Sequence, residues 1–366
     1  MKKLFLPCLA AFILCCHSIS SEKTVYHIEP VQNPVFYSNL LFRGSEDLDA
    51  PKFAALKKTY QLDTVFHGEK NELKRILLLR HWISSHIPID NIGPYPGDGS
   101  PESIINEGMK GHGFHCGHFM RVQNAIMNAY GYVTRCLGAG PGVKGADFHH
   151  GMNEVWLDSL HKWFMSDAKY DAHFEKAGVP LSALEIRDEY LKNGAKDIRA
   201  VVGPDRQPIS YDSIRARRIE LFARTYTWIE WDNSGSLYTN WPADSSVMIM
   251  YADEYFNTHQ WIWDGKPHWA YHTIYMRPTA DRHAIEWTPN TVTADAEIKG
   301  NRLNVRLHSQ TPNLKTYQLK GTGDTAWKNA SDSVSLTLNE DKQAFEFRTL
   351  NKAGVAGISY RIEVSK

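Results

Sequence analysis

The stretch from residue 116 to residue 130 reads CGHFMRVQNAIMNAY and decides the fold. Its apolar side chains recur at helical spacing. They are Phe119, Val122, Ile126, Ala129 and Tyr130. Gly131 follows where a C-terminal helix cap belongs. We therefore predict an amphipathic helix that begins at Cys116.

The residues before this helix, GMKGHGF at 108–114, are rich in glycine and predict a loop whose backbone approaches a ligand closely. The thiol of Cys116 is therefore expected at a helix N-terminus. The partial positive charge there favours thiolate over thiol and lowers the pKa of the cysteine. The unpaired amide groups of the first turn would also supply donors for an oxyanion.

The chain after this helix predicts three strands. They are YVTRCLGAG at 132–140, HHGMNEVWLD at 149–158 and KWFMSDAKY at 162–170. The last two form a predicted hairpin that carries His150 and Asp167. A thiolate needs a base for its proton and a carboxylate that holds the imidazole in one tautomer. Strand alternation selects His150 over His149, which we expect on the opposite face.

These residues resemble the transglutaminase-like superfamily motif by motif. The matching segments are Phe114-His115-Cys116, Gly131-Tyr132-Val133-Thr134-Arg135, His150-Gly151-Met152-Asn153-Glu154-Val155, and Trp163 with Asp167. The resemblance implies an α+β, papain-like core in which a helix-borne cysteine packs on an antiparallel sheet. It also implies a catalytic triad of Cys116 as nucleophile, His150 as base and Asp167 as the orienting carboxylate.

Three positions depart from the usual family pattern. Gly113 is one place further from the cysteine than is common, Met152 replaces a Trp, and Ala168 replaces a frequent Pro. None of the three removes a catalytic atom. They bear on the class of substrate more than on the chemistry.

Two other interpretations of the region remain open. Cys116 and Cys136 are the cysteines left once a signal peptide is removed, and an oxidising compartment would allow one disulfide between them. A second interpretation is a zinc site built from neighbouring histidines and the cysteine. Its ligands would come from His112, His115, Cys116, His118, His149 and His150. This spacing matches no standard zinc pattern and leaves Asp167 without a role, so we expect no metal and no cofactor.

The beginning of the chain predicts export. Lys2 and Lys3 precede an apolar stretch from Leu4 to Cys16 that is too short to span a bilayer, and Ser18-Ile19-Ser20 follows as a cleavage site. We expect a signal peptide at 1–20 and a periplasmic, cell-surface or secreted protein, with Cys15 or Cys16 as alternative lipid attachment sites. No later stretch predicts an integral membrane segment. The 41 basic and 41 acidic residues give no net charge that would favour nucleic acid.

Residues 21–283 are predicted to form the catalytic domain, including an aromatic-rich segment at about 205–280. Six tryptophans lie in that segment. They are Trp228, Trp231, Trp241, Trp261, Trp263 and Trp269. Indoles suit both a buried core and a cleft that stacks sugar rings or aromatic side chains. We expect Trp231, Trp263, His115 and His149 to contact the substrate.

Residues 284–366 alternate apolar and polar side chains between regularly spaced turns and predict a β-sandwich. This part resembles a fibronectin type III or immunoglobulin-like module. The sequence as a whole favours a cysteine-dependent hydrolase or acyl transferase that acts on a peptide or another amide. The alternative is a glycan-processing or glycan-binding protein that uses the Trp-rich segment with Glu230, Asp232, Asp253 or Glu254. The sequence gives no indication of the oligomeric state.

Overall fold

The computed structural model describes residues 25–146, 148–209, 222–242, 247–263, 266–267 and 276–366. The expected signal peptide and Trp269 lie outside these residues. The side chain of Trp263 lies outside them too, although its backbone is described. Mixed helices and antiparallel sheets give the α+β class that the sequence predicts.

The first part of the chain supplies a short strand and four helices. They are β1 (His27–Glu29), α1 (Pro51–Thr59), α2 (Glu72–His86), α3 (Pro101–Met109) and α4 (Cys116–Ala129). Polar side chains fix where α2 and α3 begin, because Asn71 Oδ1 accepts from the Lys74 amide at 2.9 Å and Ser100 Oγ accepts from the Ser103 amide at 3.3 Å. The predicted α4 begins at Cys116, as expected.

The described residues of the next part form twelve strands and three helices. They are β2 (Thr134–Gly140), β3 (His150–Leu157), β4 (Lys162–Ser166), β5 (Ala172–Lys176), β6 (Val179–Pro180), α5 (Ala183–Asn193), β7 (Arg199–Val202), β8 (Gln207–Pro208), β9 (Trp228–Asp232), β10 (Met248–Tyr251), α6 (Glu254–Thr258), β11 (Ile262–Trp263), β12 (Lys266–Pro267), β13 (Met276–Thr279) and α7 (Arg282–Ile285).

A six-stranded sheet in the order β13-β10-β9-β2-β3-β4 positions the site. Its pairs are antiparallel except β10 with β13. Helix α4 lies on one face, where Phe119, Val122 and Ile126 join Val155 and Leu157 of β3 in one buried cluster. Each such fully buried side chain contributes about 1.5–3 kcal/mol. The opposite face carries a second cluster that includes Met152, and α5 and β5 cover it.

The C-terminal part is a β-sandwich of two sheets. Its strands are β14 (Val292–Lys299), β15 (Arg302–Ser309), β16 (Leu314–Gly321), β17 (Lys328–Ala330), β18 (Ser333–Thr337), β19 (Lys342–Asn351) and β20 (Tyr360–Ser365). One sheet has the order β14-β15-β18 and the other β1-β20-β19-β16-β17. Alternate residues of β15, Leu303, Val305 and Leu307, are buried between them. Strand β1, near the start of the described residues, thus belongs to the C-terminal sandwich.

The sandwich is bonded directly to the rest of the chain. The side-chain amide of Asn351 donates to the Gly131 carbonyl at 2.9 Å, just after α4. The Trp163 indole donates to the Trp287 carbonyl at 2.8 Å. These hydrogen bonds are buried, so the sandwich packs against the α4–β4 region instead of being tethered to it by a flexible linker.

Candidate active site

Cys116 is half-buried at the first residue of α4. The glycine-rich loop before it lies tightly against residues 88–90, where the Phe114 amide donates to the Pro88 carbonyl at 2.9 Å and the Asp90 amide to the Phe114 carbonyl at 3.0 Å. A Cβ at Gly113 would lie 2.6 Å from the Asp90 Cβ, which is too close for any side chain. Glycine is therefore required for the close approach that aims the thiol toward β3.

His150 and Asp167 meet beside this thiol. His150 Nε2 and Asp167 Oδ2 are 2.7 Å apart, and both side chains are fully buried. His150 and the backbone amide of Gly151 both lower the pKa of Cys116, so these groups face its sulfur. A Cβ at Gly151 would lie 3.8 Å from that sulfur. The structure thus brings together all three residues that the sequence assigned to one reaction centre.

The electrostatics favour a charge-separated pair. Burial alone would raise the pKa of Cys116, but hydrogen bonds from His115 and His150 and the positive charge of His150 lower it to about 4. Burial alone would lower the pKa of His150, whereas the charge and hydrogen bond of Asp167, together with Cys116, raise it to about 10. The resting site therefore holds a thiolate beside an imidazolium.

A tight turn after β4 orients the carboxylate of Asp167. Its Oδ1 accepts from the Lys169 amide at 2.9 Å and from the Tyr170 amide at 3.3 Å. The backbone of Asp167 exchanges both hydrogen bonds with Ala172. The Tyr170 ring lies 5.5 Å from the His150 ring, centre to centre. These bonds leave Oδ2 aimed at the imidazole.

Arg80 of α2 holds the far side of the same turn. Its Nε donates to Asp171 Oδ1 at 2.8 Å, and its Nη atoms donate to the carbonyls of Asp171 and Ala172 at 3.0 Å each. His81 Nδ1 lies 2.6 Å from Asp171 Oδ2. The guanidinium is completely buried. Sequence reasoning did not identify Arg80, because nothing in a helical pattern marks which arginine faces the core.

His115, which the sequence assigned to substrate binding, contacts the nucleophile itself. It is the N-cap of α4, and its Nδ1 accepts from the Gly117 amide at 3.0 Å. The same ring also lowers the pKa of Cys116. The Gly117 amide is therefore occupied by the cap and is not a donor for an oxyanion. A histidine directly before the cysteine was the only sequence signal for this arrangement.

His149 lies over a glycine strip, formed by Gly138 and Gly151, on the side of the sheet where Cys116 lies. Gly151 and Gly138 pair directly across β3 and β2, and Gly138 pairs with Glu230 of β9. A Cβ at Gly138 would lie 2.0 Å from His149 Nε2, so the ring covers this glycine. His149 Nε2 lies 3.1 Å from Glu230 Oε1. His149 thus pairs with a second carboxylate, separate from the one that holds His150.

The expectation that Trp231 contacts substrate is wrong. Its side chain has no exposed surface, and its indole donates to Glu154 Oε2 at 2.8 Å. Glu154 is also held by Arg135 at 2.6 Å. Trp231 belongs to the buried cluster on the sheet face opposite α4. Trp228 and Trp261 are buried as well, so this part of the aromatic segment is core.

Cys136 is buried, and both Cys136 and Cys116 are free thiols. The interpretation that they form a disulfide is therefore wrong for this structure. Burial raises the pKa of Cys136 well above that of an ordinary thiol. Across the described ranges, no three histidine, cysteine or acidic side chains come together in a way that could hold a metal ion. His112, one of the six residues of the zinc interpretation, pairs with Glu107 at 2.9 Å.

The carboxylates of the glycan alternative are placed unequally. Asp253 binds Arg187 through both oxygens, at 2.6 and 2.8 Å, and caps α6 through the Phe256 amide at 3.0 Å. Asp253 is therefore structural. Glu254 lies in the first turn of α6. Glu230 and Asp232 lie on β9, and Glu230 is the one that faces the glycine strip beside Cys116.

A comparison with family models found a match over the part of the chain that carries the site. Residues 61–168 match the model of the transglutaminase-like superfamily. The comparison with curated proteins found no match. A solved structure, that of a "putative cysteine protease from Cytophaga hutchinsonii", aligns over 44% of this chain and 50% of that one, with 17% identity and a TM-score of 0.27.

No helix in the described part of the chain has the length and apolar character needed to cross a membrane. The family match ends one residue after Asp167, so it spans Cys116, His150 and Asp167 and leaves the aromatic segment and the sandwich outside. Residues 61–168 are thus the part of the chain that is similar to the transglutaminase-like superfamily.

Proposed function

We propose that this protein is an exported, cysteine-dependent amide hydrolase or acyl transferase that works through a thioester. Three features support the proposal: the family match of residues 61–168, the Cys116–His150–Asp167 contacts, and the charge-separated state of the thiol. The observation that carries it is the placement of Cys116 at the first residue of α4 beside the buried His150–Asp167 pair, because this arrangement serves nucleophilic attack and has no structural use.

The chemistry follows from the positions of these groups. The Cys116 thiolate attacks the amide carbonyl carbon, and a C–S bond forms. His150 gives its proton to the leaving nitrogen as the C–N bond breaks, which leaves a thioester and a free amine. Water then attacks the thioester and gives a proton to His150, the C–O bond forms, and the C–S bond breaks with its electron pair on sulfur. An amine in place of water gives transfer, and we propose hydrolysis as the main outcome.

Asp167 has an orienting role in this scheme. Its bond to Nε2 keeps the other ring nitrogen of His150 facing the sulfur and stabilises the imidazolium. His149 and Glu230, on the glycine strip next to Cys116, are proposed to contact the substrate. The absence of a side chain at Gly138 leaves room for the His149 ring above the sheet, which places this ring beside the site.

The test is a screen of peptides, peptidoglycan fragments and glycans with the full mature chain, followed by variants of the residues named here. Cys116→Ala should abolish amide cleavage, by on the order of 10⁴-fold or more, and Asp167→Asn should lower kcat by roughly 10³–10⁴-fold. A covalent acyl-enzyme should be detected by mass spectrometry after rapid quenching. Full activity of Cys116→Ala would overturn the proposal.

Export is a separate part of the proposal and rests on the N-terminal sequence alone. Expression in a bacterial host, followed by cell fractionation and mass measurement of the N-terminus, tests it. Cleavage near Ser20 or lipid on Cys15 or Cys16 is the expected result. A cytoplasmic chain that retains Met1–Ser20 would contradict export without bearing on the thiol chemistry.

A further inference from the structure

We propose that Arg80 is a positioning residue for the reaction: it fixes the turn after β4 and thereby holds the Asp167 carboxylate against His150. The inference rests on the proposed thiol chemistry and adds to it a residue that acts through another one. Arg80 lies in the middle of α2, and its side chain has no exposed surface. What ties it to the site is the set of hydrogen bonds that its guanidinium makes.

Within the described ranges, the Arg80 guanidinium makes four hydrogen bonds, all to three consecutive residues. Nε donates to Asp171 Oδ1 at 2.8 Å, and one Nη donates to the Asp171 carbonyl at 3.0 Å. The other Nη donates to the Ala172 carbonyl at 3.0 Å and to His173 Nδ1 at 3.1 Å. The planar fork of an arginine thus binds a whole segment of backbone from one helix position, which the single ammonium of a lysine cannot do.

One oxygen atom joins Arg80 to the backbone of Asp167. The Ala172 carbonyl accepts from Arg80 and also from the Asp167 amide, at 3.0 Å each. The Ala172 amide donates back to the Asp167 carbonyl at 3.0 Å, so these two residues form a closed pair. A shift of the Ala172 carbonyl would therefore move Asp167 with it.

The backbone of this turn has a conformation that costs free energy. Asp171 has a φ of 51°, in the left-handed region that few residues other than glycine adopt. Its carbonyl accepts from Arg80 and from the Gly203 amide, the latter at 2.9 Å. Its second carboxylate oxygen lies 2.6 Å from Nδ1 of the half-exposed His81. The bonds from α2 and from Gly203 thus offset the cost of the left-handed conformation.

The neighbour on β5 supports the guanidinium without adding charge to the turn. Burial lowers the pKa of His173 to about 4, against the opposing effect of Glu175, so this ring is neutral. A guanidinium can only donate, so His173 Nδ1 accepts from Arg80 and the ring proton lies on Nε2. Nε2 then donates to Glu175 Oε1 at 3.0 Å, and Arg206 binds the same oxygen at 2.5 Å. Among the described residues, Asp171 is therefore the carboxylate that pairs with Arg80.

The position of the turn matters because the reaction depends on short distances. Asp167 Oδ2 lies 2.7 Å from His150 Nε2. Burial lowers the pKa of His150, but the charge and hydrogen bond of Asp167, together with Cys116, raise it to about 10. A displacement of about 1 Å would weaken both effects of Asp167, and such a displacement can lower turnover by about 10²-fold. We therefore expect Arg80 to act on kcat and on the ionisation of the thiol, and not on KM.

Arg80→Lys tests this role in the full mature chain, with a substrate from the screen. The variant keeps the positive charge but loses the bonds of the fork to the two carbonyls. We expect kcat to fall by roughly tenfold or more with KM unchanged. We expect the pH midpoint of Cys116 alkylation by iodoacetamide to rise by about one unit, because a displaced Asp167 stabilises the imidazolium less, and the imidazolium then stabilises the thiolate less.

Arg187→Lys is the matched control, because Arg187 is also a buried arginine on a helix that binds an aspartate and a backbone carbonyl. It donates to both oxygens of Asp253, at 2.6 and 2.8 Å, and to the Thr227 carbonyl at 3.4 Å. Both lysine variants should lower the melting temperature. Only Arg80→Lys should change kcat and the alkylation midpoint.

Asp171→Asn decides the matter if Arg80→Lys does not fold. Asparagine keeps the size of the side chain and tolerates the left-handed conformation, so the fold should be retained by circular dichroism. Its neutral amide binds Arg80 more weakly than a carboxylate does. We expect kcat to fall by about threefold or more, with KM unchanged and the alkylation midpoint raised.

A wild-type kcat and alkylation midpoint in folded Arg80→Lys, or in Asp171→Asn where Arg80→Lys does not fold, would overturn the inference. Equal losses of kcat in the two lysine variants would overturn it as well, because a general loosening of the protein would then explain both. Either outcome leaves the proposed function intact as long as Cys116→Ala is inactive. An active Cys116→Ala would instead refute the thiol chemistry itself, so the two failures are distinguishable.

Discussion

Two imidazoles and one backbone amide, those of His115, His150 and Gly151, lower the pKa of Cys116. Each of the three is fixed by a different kind of local structure: a helix cap, a buried carboxylate and a strand. Reactivity at this residue therefore depends on several weak restraints acting on one atom. Their combined effect appears in how the thiol ionises.

We predict that Cys116 reacts with iodoacetamide over an unusually wide pH range. Its lowered pKa, about 4, and the raised pKa of His150, about 10, mean that the thiolate–imidazolium pair is populated between these limits. The alkylation rate should therefore rise as the pH passes about 4. The alkylation rate of an ordinary thiol would instead rise near pH 8.5. Peptide mapping should find no early label on Cys136, whose pKa is raised by burial. Preferential labelling of Cys136 would contradict this.

The sequence predicted the contacts among Cys116, His150 and Asp167 better than it predicted substrate contacts. The three lie at positions fixed by element boundaries: the first residue of α4, the first residue of β3 and the residue after β4. Trp231 shows why the aromatic residues were harder to place. Composition identifies an indole but does not say which sheet face it joins, and here the face is the one that Arg135 and Glu154 fill.

At the scale of elements, the strip Gly151–Gly138–Glu230 crosses three strands on the side of the sheet where Cys116 lies. Directly paired residues have Cβ positions about 5 Å apart, so the groups above this strip are close neighbours. A Cβ at Gly151 would lie 3.8 Å from the sulfur, and one at Gly138 would displace His149. The strip therefore offers a way to move His149 without touching the nucleophile.

Gly138→Ala is expected to push His149 away from Glu230 and to lower kcat/KM at least tenfold, with Cys116 alkylation unchanged. The clash is with the tip of a side chain that can rotate, so stability should fall by only about 1–3 kcal/mol. Steady-state kinetics and denaturant unfolding measure the two effects. Gly321→Ala in β16 is the control, because its Cβ would meet only ordinary contacts of 3.4 Å or more. Unchanged kcat/KM would remove His149 from the substrate site.

The bonds from Arg80 of α2 to the turn that follows Asp167 give a second prediction at this scale. Arg80→Met leaves the nearly buried Asp171 carboxylate with His81 as its remaining ion-pair partner, and we expect a loss of about 3–5 kcal/mol of unfolding free energy. Lys74→Met is the control on the same helix. Its pair with the exposed Asp205 should contribute less than about 1 kcal/mol. Urea unfolding measures both losses of unfolding free energy. Similar losses in the two variants would mean that Arg80 stabilises the turn no more than Lys74 stabilises its exposed contact.

At the scale of the whole molecule, the sandwich and the core built around α4 and β2–β4 are joined by buried hydrogen bonds. The sequence placed a boundary near residue 284, yet Arg135 donates to the Ile285 carbonyl at 2.5 Å and Asp158 accepts from Asn290 at 3.0 Å. Alternation within each strand predicted the sandwich itself. Alternation could not predict these contacts between the core and the chain beyond residue 284, because contacts between distant segments leave no periodic pattern in either segment.

Asn351→Ala tests the contact between the sandwich and the core without truncating the chain. The side chain donates to the Gly131 carbonyl at 2.9 Å and accepts from the amides of Ala353 and Val355 at 3.0 and 2.9 Å. Its removal leaves buried polar groups unpaired, and we expect a loss of about 1–3 kcal/mol by urea unfolding. Asn329→Ala, exposed on β17, should change stability by less than about 0.5 kcal/mol. A neutral Asn351→Ala would mean that the two parts unfold independently.

The pairing of β1 with β20 has a consequence for how the protein is made. Ser365 and Glu29, bonded across these strands, are 336 positions apart in sequence. During synthesis the early strand emerges from the ribosome long before its partner exists. The five-stranded sheet can therefore close only after β20 has been translated, so β1 stays unpaired while the residues between the two strands are made.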